Sequence, residues 1–112
     1  MKIETIKENR DFQRAYKKGK SYVSPVVVTY IVKNKENNLQ IGITTARKIG
    51  KAVQRNRARR IIRAAASAII PELKSGYNIV FVARTRTVHA KSYDIEKALR
   101  AQFKKAGMFR QR

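Results

Sequence analysis

The sequence contains no cysteine, which excludes disulfide bonds and thiolate metal sites. Cysteine-free chains are typical of reducing compartments, and we expect a cytoplasmic protein. No apolar run approaches the roughly 20 residues that a membrane-spanning helix needs. The opening Met-Lys-Ile-Glu-Thr-Ile-Lys-Glu also lacks the apolar stretch of a signal peptide. We therefore expect no membrane partner. If the chain binds a polyanion, these absences favour nucleic acid over an anionic membrane surface.

Residues suited to acid–base or metal chemistry are scarce. The chain has only 7 acidic residues, which are scattered without the clustering of a divalent metal cage. His89 is the only histidine and stands in a basic loop, where histidine is far more often an ordinary surface residue than a catalyst. No Walker loop, nucleophile elbow or His-Glu metal motif occurs. We therefore expect no catalytic residue and no metal ligand in this chain.

Positive charge, by contrast, is abundant. The chain has 112 residues, with 27 Lys and Arg, and a formal net charge of +20. Its hydrophobic content of 43% is enough for one core, so we assign residues 1–112 to a single domain. So strong a charge imbalance says little about the fold, but it predicts a polyanionic partner.

The charge is densest in residues 47–63, which hold 6 arginines and 2 lysines. No carboxylate occurs between Asn37 and Pro71 to neutralise them. A merely solvated helix face would interleave Glu with Lys at i,i+4 spacing. The run therefore favours polyanion binding over a plain solvated surface. Gly50 allows the loop before the helix to turn and approach a partner closely.

Hydrophobic periodicity predicts helices and strands in a mixed order. We predict helices at residues 9–18, around 55–69 and at 92–106, and strands at 20–23, 26–32, 39–46 and 77–83. Turn residues at 35–38 predict a hairpin that makes strand 39–46 the antiparallel partner of strand 26–32. The helix between the last two strands predicts a parallel crossover. Gly42 indicates a bulge or a close backbone approach, and residues 109–112 are expected to fray.

The basic helix carries one apolar stripe. Ala58, Ile61, Ile62, Ala65 and Ile69 recur at helical spacing, so we expect this helix to dock by its isoleucines and present its arginines outward. Arginine dominates and base-reading side chains are few, which favours recognition of the backbone and shape of a folded RNA.

Aromatic residues offer a second candidate surface. Phe12 and Tyr16 share a face of the first helix, and Tyr30 lies on a strand. They are either core residues or a stacking platform for unpaired bases, which needs exposed rings beside cations. Composition alone also leaves open a ribosomal or general RNA-binding protein, and a nuclease that consists of protein only.

One motif carries a family resemblance. Residues 48–60, Lys-Ile-Gly-Lys-Ala-Val-Gln-Arg-Asn-Arg-Ala-Arg-Arg, match every fixed position of the pattern Lys-x-Gly-x-Ala-Val-x-Arg-Asn-x-x-Lys/Arg-Arg. In this motif, in the helix around Asp11-Phe12-Gln13, and in the strands at 26–32 and 77–84, the chain resembles the protein component of bacterial ribonuclease P.

The resemblance implies an α+β fold, a two-layer α-β sandwich with element order αβββαβα. It places the basic helix in a crossover connection. It also implies that this crossover is left-handed, whereas the general rule for such connections favours a right-handed one.

The resemblance further implies a subunit of an endoribonuclease that removes the 5′ leader of precursor tRNA. Hydrolysis would be carried out by an RNA subunit with Mg²⁺, without catalytic residues from the protein and without another protein partner. The residues implied to bind the RNA subunit are Lys48, Lys51, Arg55, Asn56, Arg57, Arg59, Arg60 and Arg63. Those implied to bind the leader are Phe12, Arg14, Tyr16 and Tyr30. Tyr16 stands where the family often has Phe.

Overall fold

The computed structural model describes residues 2–110, which form a five-stranded sheet and three helices. The strands are β1 (Lys2–Thr5), β2 (Lys20–Val23), β3 (Val27–Lys33), β4 (Asn38–Thr44) and β5 (Tyr77–Ala83). The helices are α1 (Asn9–Lys18), α2 (Ala52–Ile69) and α3 (Ser92–Ala106). Short 3₁₀ turns occupy Arg47–Ile49, Ile70–Glu72 and Thr85–His89.

The most apolar strand, β5, lies in the centre of the sheet. The strand order is β1-β4-β5-β3-β2, with β5 parallel to β4 and antiparallel to β3. Residues Asn78 to Phe81 are buried, as expected for a strand that is covered on both faces. The parallel crossover predicted between β4 and β5 is confirmed, and α2 forms the connection. Its handedness stays a prediction.

The predicted hairpin between β3 and β4 is wrong. These strands are separated by β5, and the loop between them crosses the residues that precede β5. The Asn34 N–H donates to the Gly76 carbonyl at 2.9 Å, and the Gly76 N–H donates to the Asn38 carbonyl at 2.8 Å. The turn residues were correctly recognised, but they do not distinguish a tight hairpin from a loop that admits another strand.

Helices cover the two faces of the sheet unequally. On one face, α2 and α3 pack against Val27, Ile31, Leu39, Ile79 and Phe81 to form the larger core. On the other face, α1 buries Ala15 in a smaller cluster with Ile6, Val32 and Val80. Side chains that alternate along β3 and β5 supply both clusters, as the period of two in a strand requires. One face of the sheet is therefore only partly covered.

The α+β class and the place of the basic helix are confirmed. The predicted order αβββαβα holds with one addition, the short strand β1, which pairs in parallel with the first half of β4. A strand of 4 residues is too short to show a clear alternation of polar and apolar residues.

The chain after α3 is held against the core up to Arg110. Phe109 pairs with Leu73 across an isolated bridge, and the Arg110 N–H donates to the Glu72 carbonyl at 2.9 Å. The predicted fraying is therefore wrong for these two residues. Gln111 and Arg112 lie outside the described residues.

Candidate RNA interface

Three aromatic side chains converge on the partly covered face of the sheet. Phe12 and Tyr16 lie one turn apart on α1, and Tyr30 lies on β3. All three are half-buried and pack against the cluster formed by Ile6, Ala15, Val32 and Val80. They thus combine the two roles considered for them, since each side chain packs on the core and is also partly exposed. We call Phe12, Tyr16 and Tyr30 the aromatic cleft.

The two tyrosines of the aromatic cleft hold each other in place. Their ring centroids are 5.1 Å apart, and the ring planes meet at 76°, an edge-to-face geometry that aromatic pairs prefer. The Tyr16 hydroxyl lies 3.3 Å from the Thr44 hydroxyl oxygen on β4. The hydroxyl that distinguishes this position from Phe therefore has a polar partner at the edge of the cleft.

Gly42 on β4 makes room for the ring of Phe12. A Cβ at this position would lie 2.5 Å from Phe12 Cε1 and 2.8 Å from Cζ, distances that real Cβ atoms essentially never show. The β4–β5 register runs without interruption through Gly42, so of the two options from the sequence, the close approach is the correct one. The sequence marked this glycine, but it did not identify the ring that approaches it.

A cavity of about 340 Å³ connects the aromatic cleft with the basic helix. It is lined by Phe12, by Gly42 and Ile43 of β4, and by Arg59 and Arg63 of α2, among others. β1 pairs with β4 only as far as Ile41, so the edge of β4 beyond that residue faces this cavity. Arg59 and Arg63, which were expected to bind the RNA subunit, therefore lie next to Phe12, which was expected to bind the leader.

The remaining residues expected at the RNA subunit spread over the first half of α2 and the turn before it. Lys48, Lys51, Asn56 and Arg60 are exposed. Arg55 and Arg57 use one nitrogen each to fix the helix, because Arg55 Nη1 donates to the Gly50 carbonyl at 2.8 Å and Arg57 Nε to the Val88 carbonyl at 3.1 Å. Their other guanidinium nitrogens stay available to a partner.

Gly50 gives the chain before α2 a conformation that other residues rarely adopt. Its φ is 143°, and a Cβ there would lie 2.4 Å from the side-chain oxygen of Gln54. That oxygen accepts the Lys51 N–H at 2.6 Å and so closes the first turn of α2. The tight turn expected at Gly50 is present.

Arg14 lies apart from the aromatic cleft. It projects from the opposite side of α1, where Nη2 donates to the Lys33 carbonyl at 3.1 Å. There it lines a polar cavity with Asp11, Lys18, Asn34 and Asn78. Of the four residues expected at the leader, the structure therefore brings three together.

Three carboxylates form ion pairs with arginines that lie outside the basic helix. Glu8 pairs with Arg10 at 2.6 Å, and Glu96 and Glu72 pair with Arg100 at 3.0 and 3.1 Å. The hydrogen bonds that Arg100 donates to Glu96 and Glu72 raise the pKa of Arg100 above its ordinary value. Within residues 2–110, no group of three His, Asp or Glu side chains is arranged to hold a metal ion. In the same part of the chain, no helix is long and apolar enough to cross a membrane.

Comparison with known proteins agrees with this architecture. The family model described as Ribonuclease P matches residues 1–107. The ribonuclease P protein component of Clostridioides difficile is 43% identical over 96 residues, which cover 85% of this chain and 84% of the relative. That of Clostridium botulinum strain Langeland is 39% identical over 110 residues, covering 97% of this chain and 99% of the relative.

Solved structures give the same result at the level of the fold. The RNase P protein of Staphylococcus aureus superposes with a TM-score of 0.82 at 33% identity, covering 95% of this chain and 97% of that one. The RNase P protein of Thermotoga maritima gives a TM-score of 0.78 at 26% identity, covering 90% and 96%. The chain therefore belongs to the ribonuclease P protein family and is a protein component of a ribonucleoprotein that acts in tRNA processing.

Proposed function

We propose that this chain binds the RNA subunit of ribonuclease P through α2 and the 5′ leader of precursor tRNA through the aromatic cleft. By holding both, it assists the endonucleolytic removal of the leader. The observation that carries the proposal is the cavity where Phe12 of the aromatic cleft adjoins Arg59 and Arg63 of the basic helix. A single-stranded RNA needs this combination of an aromatic face with cations beside it.

The aromatic cleft supplies binding energy that depends little on sequence. Stacking of a base on an aromatic side chain contributes about 1–3 kcal/mol, and every base has a face that can stack. Phe12, Tyr16 and Tyr30 are fixed by packing, so little side-chain freedom is lost when a base binds. Mature tRNA has no leader, so only the precursor gains this energy. The protein thereby favours substrate over product.

The arginines of α2 divide between two tasks. Arg59 and Arg63 line the cavity beside Phe12, where they can bind leader phosphates. Lys48, Lys51 and residues 55–57 lie at or before the start of α2 and do not line that cavity, which suits them to the RNA subunit. Arg14 lies on the far side of α1 and would contact only a leader RNA that continues past this helix.

Hydrolysis is assigned to the RNA subunit, with Mg²⁺ as its cofactor. The described residues offer no metal-binding group of three carboxylate or histidine side chains, and a surface with this excess of cations repels a free divalent cation. The same cations neutralise phosphates where two RNA molecules meet. The protein would therefore lower the concentration of Mg²⁺ at which the complex works.

The leader part of the proposal is tested with Phe12→Ala. We expect this change to weaken binding of precursor tRNA to the assembled enzyme by about 1–3 kcal/mol, or roughly 5- to 150-fold. Binding of mature tRNA should hardly change. Both affinities are measured with the holoenzyme, with Ca²⁺ in place of Mg²⁺ to prevent cleavage.

Tyr93→Ala is the matched control, because Tyr93 is an aromatic residue that is 71% exposed on α3, far from the cleft in the fold. It should leave both affinities unchanged. Equal losses for precursor and mature tRNA in Phe12→Ala would contradict a leader-binding cleft.

A further inference from the structure

Two basic segments follow neighbouring strands at the same end of the sheet. The turn Arg47–Ile49 and the start of α2 follow β4, and residues 84–91 follow β5. Because β4 and β5 are parallel, both segments emerge at the carboxyl ends of the strands. The 3₁₀ turns Arg47–Ile49 and Thr85–His89 contact each other there. The start of the basic helix and segment 84–91 thus lie side by side at this end of the sheet.

Segment 84–91 is firmly held by its neighbours. Thr87 and Val88 are buried. The Thr87 hydroxyl donates to the Val26 carbonyl before β3, and Arg57 of α2 donates to the Val88 carbonyl at 3.1 Å. The segment is therefore held through the side chain of Thr87 and the backbone of Val88. Its other side chains start from a fixed backbone, which lowers the entropic cost of binding.

The side chains that segment 84–91 presents are cationic. Arg84, Arg86 and Lys91 are exposed, and none of them forms an ion pair with a carboxylate in residues 2–110. Asp94, the acidic residue nearest in sequence, accepts the backbone N–H of Lys91 at 3.1 Å and so begins α3. A depression of about 470 Å³ between this segment and the β2–β3 turn carries Arg84 and Arg86 in its wall.

We propose that segment 84–91 is a second contact with the RNA subunit, which binds phosphates of the same folded RNA that α2 binds. This inference rests on the proposed function. The partner is an RNA backbone because arginine forks match phosphate oxygens and the segment offers no apolar surface of its own. It is the RNA subunit rather than the leader because the segment adjoins the start of α2, whereas the cavity beside Phe12 lies further along that helix.

The test compares two double variants with the same loss of charge. Arg86→Gln with Lys91→Gln removes two exposed cations of the segment that form no ion pair within residues 2–110. Lys97→Gln with Lys104→Gln removes two exposed cations of α3. Association with ribonuclease P RNA alone is measured from 0.1 to 0.5 M salt, and thermal unfolding of each variant confirms that it is folded.

We expect the segment variant to bind about tenfold more weakly at 0.1 M salt and to show a salt slope smaller by about 1.5, because two phosphate contacts are lost. The α3 variant should stay close to wild type in both. Equal losses in the two variants, or a wild-type affinity in the segment variant, would overturn the inference. A loss confined to precursor tRNA binding by the holoenzyme would overturn it as well. If wild-type protein itself fails to bind this RNA, the proposed function fails instead.

Discussion

At the scale of single residues, the aromatic cleft depends on how Phe12 packs against Gly42. The ring of Phe12 occupies the space that a Cβ on residue 42 would need. Its position over the sheet, beside Arg59 and Arg63, is therefore possible only with glycine on β4. Gly42 is expected to contact no RNA, and its role is to position Phe12, for which we propose leader binding.

We predict that Gly42→Ala reproduces most of the loss caused by Phe12→Ala. The added methyl group forces the ring away from the sheet, so precursor tRNA affinity should fall by about 1–3 kcal/mol while mature tRNA affinity holds. In a Phe12→Ala background, Gly42→Ala should cost nothing further, because the ring is already absent. A double-mutant cycle of holoenzyme affinities measures this coupling. Equal losses in the two backgrounds would show that Gly42 acts independently of Phe12.

Sequence reasoning at this scale found the residues but not their partners. Helical spacing placed Phe12 and Tyr16 on one face, and that prediction is confirmed. The hydroxyl of Tyr16 meets Thr44, which is 28 residues away, and no local pattern could indicate this pair. Arg14 is grouped with the aromatic residues only by the family resemblance. Helical spacing puts it on another side of α1, two positions from Phe12 and from Tyr16, and the structure agrees.

At the scale of secondary-structure elements, local signals were accurate, whereas only one of the two predicted strand pairings, β4 with β5, was correct. The bounds of β2, β5, α1 and α3 agree with the periodicity of the sequence. The partner of β3 was wrong, because a turn between two strands says nothing of a third strand that inserts between them. β5 does so because its buried residues need cover from helices on both faces.

One buried amide links α3 to two strands. Gln102 Oε1 accepts the Thr29 hydroxyl at 2.6 Å, and Nε2 donates to the carbonyls of Tyr22 and Val27 at 2.9 and 3.2 Å. Gln102 and Thr29 are both buried, so water cannot easily replace these bonds. The sequence placed Gln102 on the inward face of its helix, but it gave no reason for a polar residue there.

We predict that Gln102→Ala lowers the free energy of unfolding by about 2–3 kcal/mol, because it leaves the Thr29 hydroxyl without its acceptor inside the core. Urea denaturation monitored by circular dichroism measures the change. Gln13→Ala is the matched control, since Gln13 is exposed on α1 and its loss should change stability by less than about 0.5 kcal/mol. Similar values for the two variants would mean that the buried network contributes nothing.

At the scale of the whole molecule, positive charge is neutralised unevenly. The paired carboxylates Glu8, Glu72 and Glu96 neutralise arginines outside the proposed interfaces, whereas α2 and segment 84–91 have no such partners in the described part of the chain. Net charge and the motif at residues 48–60 were sufficient to predict an RNA partner. They could not predict that the far half of α2 adjoins the aromatic cleft, because this arrangement depends on the order of strands in the sheet.

The most direct test of the account is reconstitution with ribonuclease P RNA. Precursor tRNA is incubated with this RNA at a Mg²⁺ concentration too low for the RNA to work alone, with and without the protein. We predict that the protein restores cleavage at the mature 5′ end, and that the protein without the RNA cleaves nothing. Absence of stimulation, or cleavage by the protein alone, would contradict the account.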